Sequence, residues 1–358
     1  MPESLLDVLP AIYQRLLPAE LQSAAPDETR ATCSSCAMCP PTGTSASSEQ
    51  VFFSPALKCC TYHPTLPNYL VGALLRDSRS ELADGQERIR ARIAGRVGVT
   101  PRWLAAPLKY RMLHRVSRTH GFGRSEELLC PYYAKDSGGC SIWAYRESTC
   151  STFFCKYDDG ADGQVYWRAV LGYLSRLEIV LSEWLVQRLG SVDMVDVPLD
   201  RKQLTREELE ERPPAPADYQ SWWRDWEGRE EAFYLAAAEE AETLDLGTLT
   251  AVWGDEEAQR RLEIQVARDK IEQGWLPQHL MLSPKLLVIN QSDGMALVRS
   301  YNDYDPAIVP QDLLEVLSAF QGDRTVSEVR AHLEDKEGIT LADELISDLF
   351  QRRILTAG

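Results

Sequence analysis

Nine cysteines stand in two groups along this 358-residue chain. The first runs Cys33-x2-Cys36-x2-Cys39 and is followed by the adjacent pair Cys59 and Cys60. The second is Cys130-x9-Cys140-x9-Cys150-x4-Cys155. Two-residue loops between thiolates let a single turn of chain grip an ion or cluster, and a folded spacer lets distant groups converge. Soft thiolate ligands select zinc, Cu(I) or iron–sulfur clusters. A lone buried cysteine packs as a small hydrophobe. Nine in two groups predict ligation instead, so Cys33, Cys36, Cys39, Cys59, Cys60, Cys130, Cys140, Cys150 and Cys155 are the candidate metal ligands. Nine thiols exceed two four-ligand zinc sites by one, and a four-cysteine cubane with spare thiols fits the count as well. The side chains of an adjacent pair are expected to diverge, which suits a polynuclear cluster or two sites better than one small ion. The residues therefore favour an iron–sulfur cluster, with zinc as the alternative. Cys36, Cys59 or Cys60, Cys130, Cys140 and Cys150 are expected to converge. His63 is the one histidine near enough in sequence to join them. No Gly-rich phosphate loop, GxSxG elbow or HExxH is present, so the sequence names no catalytic residue.

The string Cys130-Pro131-Tyr132, Gly139-Cys140-Ser141-Ile142-Trp143, Arg146, Cys150, Phe153, Cys155 resembles the signature of the CxxCxxCC (YkgJ-like) zinc- or iron-chelating proteins. Cys33, Cys36 and the Cys59–Cys60 pair correspond to the other half of that signature. The resemblance spans roughly residues 30–160. Flagellin lysine N-methylases carry a similar arrangement, understood to hold an iron–sulfur cluster. The resemblance implies metal held through cysteine, with a 4Fe–4S cluster favoured. By family analogy alone it implies chemistry dependent on S-adenosylmethionine. The chain departs from the signature at three places. A long insertion separates Cys39 from the pair, Glu147 follows Arg146 where the family has proline, and Ser151 follows Cys150 where it has arginine.

Charge narrows the partners. A formal net charge of -16 is wrong for docking on nucleic acid or an anionic membrane. No apolar run approaches the ~18 residues of a membrane helix, and the N-terminus lacks the pattern of a signal peptide. A cytoplasmic location is the expectation, where thiols stay reduced. One stretch opposes the overall charge. Residues 88–124 hold ten Lys or Arg and no acid. Arg111, Arg115 and Arg118 share one helix face there and are candidates for an anion site. The same cations are equally suited to neutralising residues 205–257, with sixteen acids against four bases.

The elements that must position these residues are mainly helical. Residues 1–24 predict one short amphipathic helix, and residues 78–97, 107–118, 165–189 and 218–274 predict further helices. Residues 280–358 change character: KLLVIN and ALVRSY alternate around a turn as a hairpin, and three short helices follow, two of them with capping boxes at Thr325 and Thr340. The string LEVLSAFQGDRTVSEVRAHL…LADELISDLFQRRILT resembles the PqqD-like winged-helix domains that recognise leader peptides. Its seven bases against thirteen acids exclude a DNA-docking winged helix. The resemblance implies capture of an extended peptide or protein segment along a sheet edge; Leu313, Leu314, Leu317, Val329 and Leu333 either line that groove or, for most of them, face the module's own core. The expected fold is mainly α with a small α+β C-terminal module. It divides into a cysteine-cluster metal domain (1–190), an acidic Trp-rich helical segment packed on it (191–279) and the winged-helix module (280–358). The expected function is a metal-binding protein that binds or modifies a peptide partner. A non-catalytic zinc-stabilised adaptor is the alternative.

Overall fold

The computed structural model describes residues 4–22, 25–29, 36–40, 52–190, 205–290 and 293–358. Cys33 lies outside the described residues, as does most of the connector expected after residue 190. The fold is mainly α with a small β part. In chain order the elements are α1 (Leu5–Val8), β1 (Leu66–Pro67), α2 (Asn68–Arg76), α3 (Ala83–Gly95), β2 (Trp103–Leu104), α4 (Leu108–Gly121), β3 (Tyr133–Ala134), β4 (Gly139–Cys140), α5 (Ser148–Thr152), α6 (Gly160–Leu189), α7 (Arg206–Leu209), α8 (Pro216–Trp223), α9 (Glu230–Thr243), α10 (Leu246–Trp253) and α11 (Glu256–Gln273). There follow β5 (His279–Leu282), β6 (Leu287–Asn290), β7 (Met295–Arg299), β8 (Ala307–Pro310), α12 (Gln311–Leu317), β9 (Gln321–Thr325), α13 (Val326–Glu337), α14 (Asp343–Gln351) and β10 (Leu355–Ala357).

Two compact units share the chain. The first comprises Met1–Ala25, Phe53–Phe153 and Val170–Leu262. Its start corrects the single N-terminal helix expected from sequence. Pro10 and Pro18 each precede a short 3-10 turn, because proline lacks the N–H that would continue an α-helix. Only Leu5–Val8 is α-helical, closed by a capping box between Ser4 and Asp7. The main core of this unit joins Leu66, Val71, Leu74 and Leu75 to Ile89, Ile142, Trp223, Phe233 and Tyr234. The acidic helices α8 and α9 thus supply a large share of its aromatic core. Helices α2 and α9 cross so closely that a β-carbon on Gly72 would run into the Tyr234 carbonyl and the Ala238 side chain. Tyr234 is held in place by its hydroxyl, which donates to the Thr100 carbonyl at 2.7 Å.

The second unit comprises Pro26–Phe52, Phe154–Ala169 and Glu263–Gly358. It carries two three-stranded antiparallel sheets, ordered β10-β5-β9 and β6-β7-β8. The KLLVIN and ALVRSY segments pair as a hairpin, with Val288 opposite Val298. Among the described residues β8 joins this hairpin and β5, β9 and β10 form the other sheet, four strands beyond the two that the sequence predicted. These four are short, and several alternate too weakly to be read as strands. Thr325 caps α13 through a box with Glu328, and Gly338 ends that helix in the left-handed conformation. Thr340 caps nothing: α14 starts at Asp343 behind Ala342, with no side-chain cap. Leu317, Val329 and Leu333 are buried in the module's own core with Phe320, Ile346 and Leu349, and Leu313 and Leu314 pack against it. Of the two places the sequence left open for these residues, Leu317, Val329 and Leu333 take the module's own core. Gly72→Ala should destabilise the protein by about 1–3 kcal/mol through overpacking. A lowered thermal midpoint for this variant, with an unchanged one for the exposed Gly95→Ala, checks the α2–α9 crossing.

Candidate metal centre

Three stretches of the first unit carry five cysteines. The first is a turn over residues 54–60. Leu57 and Lys58 N–H groups donate to the Ser54 carbonyl, and Cys60 N–H donates to the Leu57 carbonyl. Lys58 takes a left-handed φ of 51° here, which costs a non-glycine residue about 1–2 kcal/mol. Its ammonium donates to the Gly138 carbonyl at 3.0 Å, tying this turn to the second stretch. That stretch is the β3–β4 hairpin, where Tyr133 pairs with Cys140. It is joined to the turn at its base by Cys130 N–H donating to the Cys60 carbonyl at 2.9 Å. Ser141 closes the hairpin by donating both its N–H and its hydroxyl to the Tyr132 carbonyl, at 2.9 and 2.8 Å. The third stretch is α5, whose N-cap is Glu147. Its carboxylate accepts from Thr149 N–H at 2.6 Å and Cys150 N–H at 3.0 Å. Arg146 donates to the Cys150 carbonyl at 3.2 Å and stacks 3.4 Å over Trp143.

These stretches bring their thiols into two coupled sets, Cys59 with Cys60 and Cys150 with Cys130 and Cys140. Cys59 and Cys60 are hydrogen-bonded side chain to side chain, where divergence was expected, and that contact and burial hold the Cys59 thiol well above its usual pKa. Burial pushes Cys130 up to about 12, with a further rise from Cys140. Cys150 is raised well above its usual value by burial, then by Glu147 and by Cys130 and Cys140. Tyr62 feels both Glu147 and Cys150, and Tyr110 feels Cys130 and Cys150. Arg146 acts in the opposite sense on Cys59, and Arg92 on Cys130. All eight described cysteines are thiols, with no disulfide among them.

The chain matches no protein-family model, no curated protein and no solved structure.

The donor set therefore has to be judged on its own chemistry. Thiols are the soft ligands that zinc and iron–sulfur clusters take, and each must lose its proton to bind. Among the described residues no three His, Cys, Asp or Glu side chains stand close enough to hold a metal ion between them. The five thiols of this unit fit a thiophilic group in kind, without closing a single-ion cage. Cys36, Cys39 and Cys155 belong to the second unit. His63 is committed elsewhere: its Nε2 stands 2.6 Å from Arg92 Nη1, and guanidinium can only donate, so the ring accepts there as a neutral imidazole. Burial and Arg92 together lower its pKa well below the usual value.

Much of the basic stretch is neutralised by acids. Arg88 pairs with Asp84 at 2.9 Å, Arg90 with Glu231 at 3.1 Å, Arg96 with Glu227 at 3.2 Å and Arg102 with Glu183 at 2.5 Å. Arg92 is spent inside the fold, donating to the Ala105 carbonyl at 2.5 Å and to the Tyr132 hydroxyl at 3.1 Å. Arg111, Arg115 and Arg118 all lie on α4. Arg111 and Arg115 each follow by one residue a ring of the stacked pair Tyr110 and His114, and so sit about 100° round the helix from them.

Sequence reasoning missed the carboxylates. Glu147 stands where the resembling family has proline, and that departure was the one available signal. Glu178, on α6, was hidden because it interrupts an otherwise apolar helical face. It is buried, and its Oε1 accepts from Ser148 N–H at 2.7 Å and from the Tyr13 hydroxyl at 3.0 Å. Its Oε2 stands 2.7 Å from the Ser148 hydroxyl, and Tyr13 meets Tyr69 at 3.0 Å. Burial first, and the neighbouring Glu147 second, push Glu178 up to about 8. A raised carboxyl pKa means the folded state favours the proton. Its stabilisation is complete below the ordinary value of 4.5 and is lost as pH rises through about 8. Glu178→Gln keeps every hydrogen bond of the protonated acid. Thermal melts at pH 5–8 should show wild-type stability falling by up to about 1.4 kcal/mol per pH unit from this group, and a flatter profile for the variant.

Proposed function

We propose that the chain is a metal-binding protein of the CxxCxxCC type that holds an iron–sulfur cluster on its cysteines. The observation that carries the reading is that three stretches carry five thiols, the first two tied by the Cys130–Cys60 backbone bond and the Lys58–Gly138 bond, with Cys150 of the third raised by both Cys130 and Cys140. These thiols are soft, polarisable donors, one of them buried and four partly buried. Loss of their protons to a metal converts that arrangement into folding free energy. Five thiols also exceed the four ligands of a structural zinc site. A bound cluster would supply one-electron chemistry at sulfur-ligated iron. The chain's own residues hold the thiols in place: Cys60 and Cys130 through their shared backbone hydrogen bond, Cys140 through the β3–β4 pairing, and Cys150 through the Glu147 cap.

The same proposal assigns residues 280–358 a PqqD-like winged-helix role in binding an extended peptide or protein segment. Support comes from β6, which lies at the edge of its sheet and exposes both Leu287 and Val288. An edge strand offers unpaired N–H and C=O groups to a segment of matching length. The module's net negative charge suits a basic or neutral peptide better than a phosphate backbone. Among the described residues no helix is long and apolar enough to cross a membrane. Modification of the bound partner with S-adenosylmethionine rests on the family resemblance alone.

Protein purified without oxygen should be brown, absorb near 400 nm and contain iron with acid-labile sulfide. Cys140→Ser should lower its metal content and its melting temperature. Colourless protein with one or two zinc per chain would replace this reading with the zinc-stabilised adaptor, and a metal-free preparation with an unchanged melt for Cys140→Ser would end both.

A further inference from the structure

Cys59 and Cys60 are neighbours in the chain as well as in space. Their thiols are hydrogen-bonded side chain to side chain, and both are partly exposed. We propose that this pair is a redox switch, closing on oxidation to a disulfide between adjacent residues and reopening on reduction. The switch needs only the two thiols and so stands independently of the metal-binding reading above. A sulfur bonded to sulfur is lost as a thiolate ligand, so closure and ligation exclude each other at this pair.

Consecutive Cα atoms lie about 3.8 Å apart across a trans peptide, closer than the roughly 4.4–6.8 Å that disulfides ordinarily span. A bond between adjacent residues is therefore strained and readily reduced, which marks labile, regulatory disulfides rather than structural ones. The oxidant is a low-molecular-weight disulfide such as glutathione disulfide. One thiolate of the pair attacks a sulfur of that disulfide, forming a mixed disulfide and expelling one glutathione thiolate. The second thiolate attacks the protein sulfur of the mixed disulfide and expels the other. The pair gives up two electrons and two protons, and the oxidant takes both and leaves as two thiols. Closure also acts on the fold, because the new ring encloses the peptide bond between the two residues. The N–H of that peptide belongs to Cys60 and donates to the Leu57 carbonyl at 3.1 Å, closing the turn. The Cys60 carbonyl in turn accepts from Cys130 N–H at 2.9 Å. Twisting the peptide to close the ring works against both bonds, so oxidation loosens the tie between the turn and the segment that carries Cys130. Lys58, already left-handed at a φ of 51°, leaves the turn little room to absorb the twist.

Full-length protein would be reduced, freed of metal by chelation and equilibrated in glutathione buffers from reducing to oxidising. The folded, size-selected fraction would then be alkylated and digested. Trypsin cleaves after Lys58 and Arg76, and the peptide between them holds no cysteine but Cys59 and Cys60. In reducing buffer this peptide should carry two alkyl groups. In oxidising buffer it should carry none and be lighter by two hydrogens, and reduced glutathione should restore the first form. Hydrogen exchange at the Cys60 and Cys130 amides should be several-fold faster in the oxidised protein, and Cys60→Ser, which cannot close the ring, should show no such change. Two alkyl groups retained in oxidising buffer, a glutathione adduct that never resolves, or a bond from either thiol to another cysteine would overturn the proposal. Closure with unchanged exchange at both amides would overturn the pair's role as a switch. Metal content of the anaerobically isolated protein reads the other proposal separately. Metal-free protein that closes the pair upholds the switch and fails the metal-binding reading, and metal-loaded protein whose chelated form leaves the pair open does the reverse.

Discussion

The hydrogen bond from Cys130 N–H to the Cys60 carbonyl is the joint on which the first unit's chemistry depends. It locks two stretches some seventy residues apart in sequence at the points where each presents a thiol. Around it, Lys58 is held in a left-handed conformation and the β3–β4 hairpin is closed by Ser141. None of these contacts contributes much alone, since a net hydrogen bond is worth about 1 kcal/mol. Together they fix soft donors in a place where burial keeps them protonated. Thiols with raised pKa, as at Cys59, Cys130 and Cys150, form a poor hydrophobic core, which aliphatic side chains would fill at no electrostatic cost. In the proposed metal-binding role that cost changes sign, because a bound metal favours the deprotonated thiolate.

Charge is organised to serve the same end. The protein is strongly acidic, yet its arginines are concentrated in α3 and the segments after it. Arg90 and Arg96 reach Glu231 and Glu227, which flank and begin α9, the helix that crosses α2 at Gly72. Exposed ion pairs of this kind are each worth about 0–1 kcal/mol. Their larger effect is to match a basic helix to an acidic one, so that the aromatic core of Trp223, Phe233 and Tyr234 meets Val71 and Leu74 in one register. Arg92 goes inward, where it fixes His63 as a neutral acceptor and opposes the raised pKa of Cys130.

The mainly helical fold with a small β part was legible in the sequence because its long elements are strongly periodic. The apolar face of α6 and the box from Thr325 to Glu328 both read directly from residue spacing. The box at Thr340 did not form, since a Ser/Thr–x–x–acid string caps a helix only when the backbone starts one there. The N-terminal helix failed for a plainer reason, two prolines that the apolar pattern had outweighed. The cysteines were legible as a chemical set but not as a partition. Spacing along the chain cannot reveal that Cys150 and Cys155, five residues apart, fall into different units. Glu178 and Tyr13 were invisible because their pairing joins positions 165 residues apart.

X-ray absorption at the metal edge of anaerobically isolated, full-length protein tests the central claim most directly, since it reports the ligand atoms and the number of metals at the centre. The account predicts an iron edge with an all-sulfur first shell and a second shell of iron at short range, as thiolate-held clusters require. A zinc edge with Zn–S at about 2.3 Å and no second metal shell, or a first shell of nitrogen and oxygen, would contradict it.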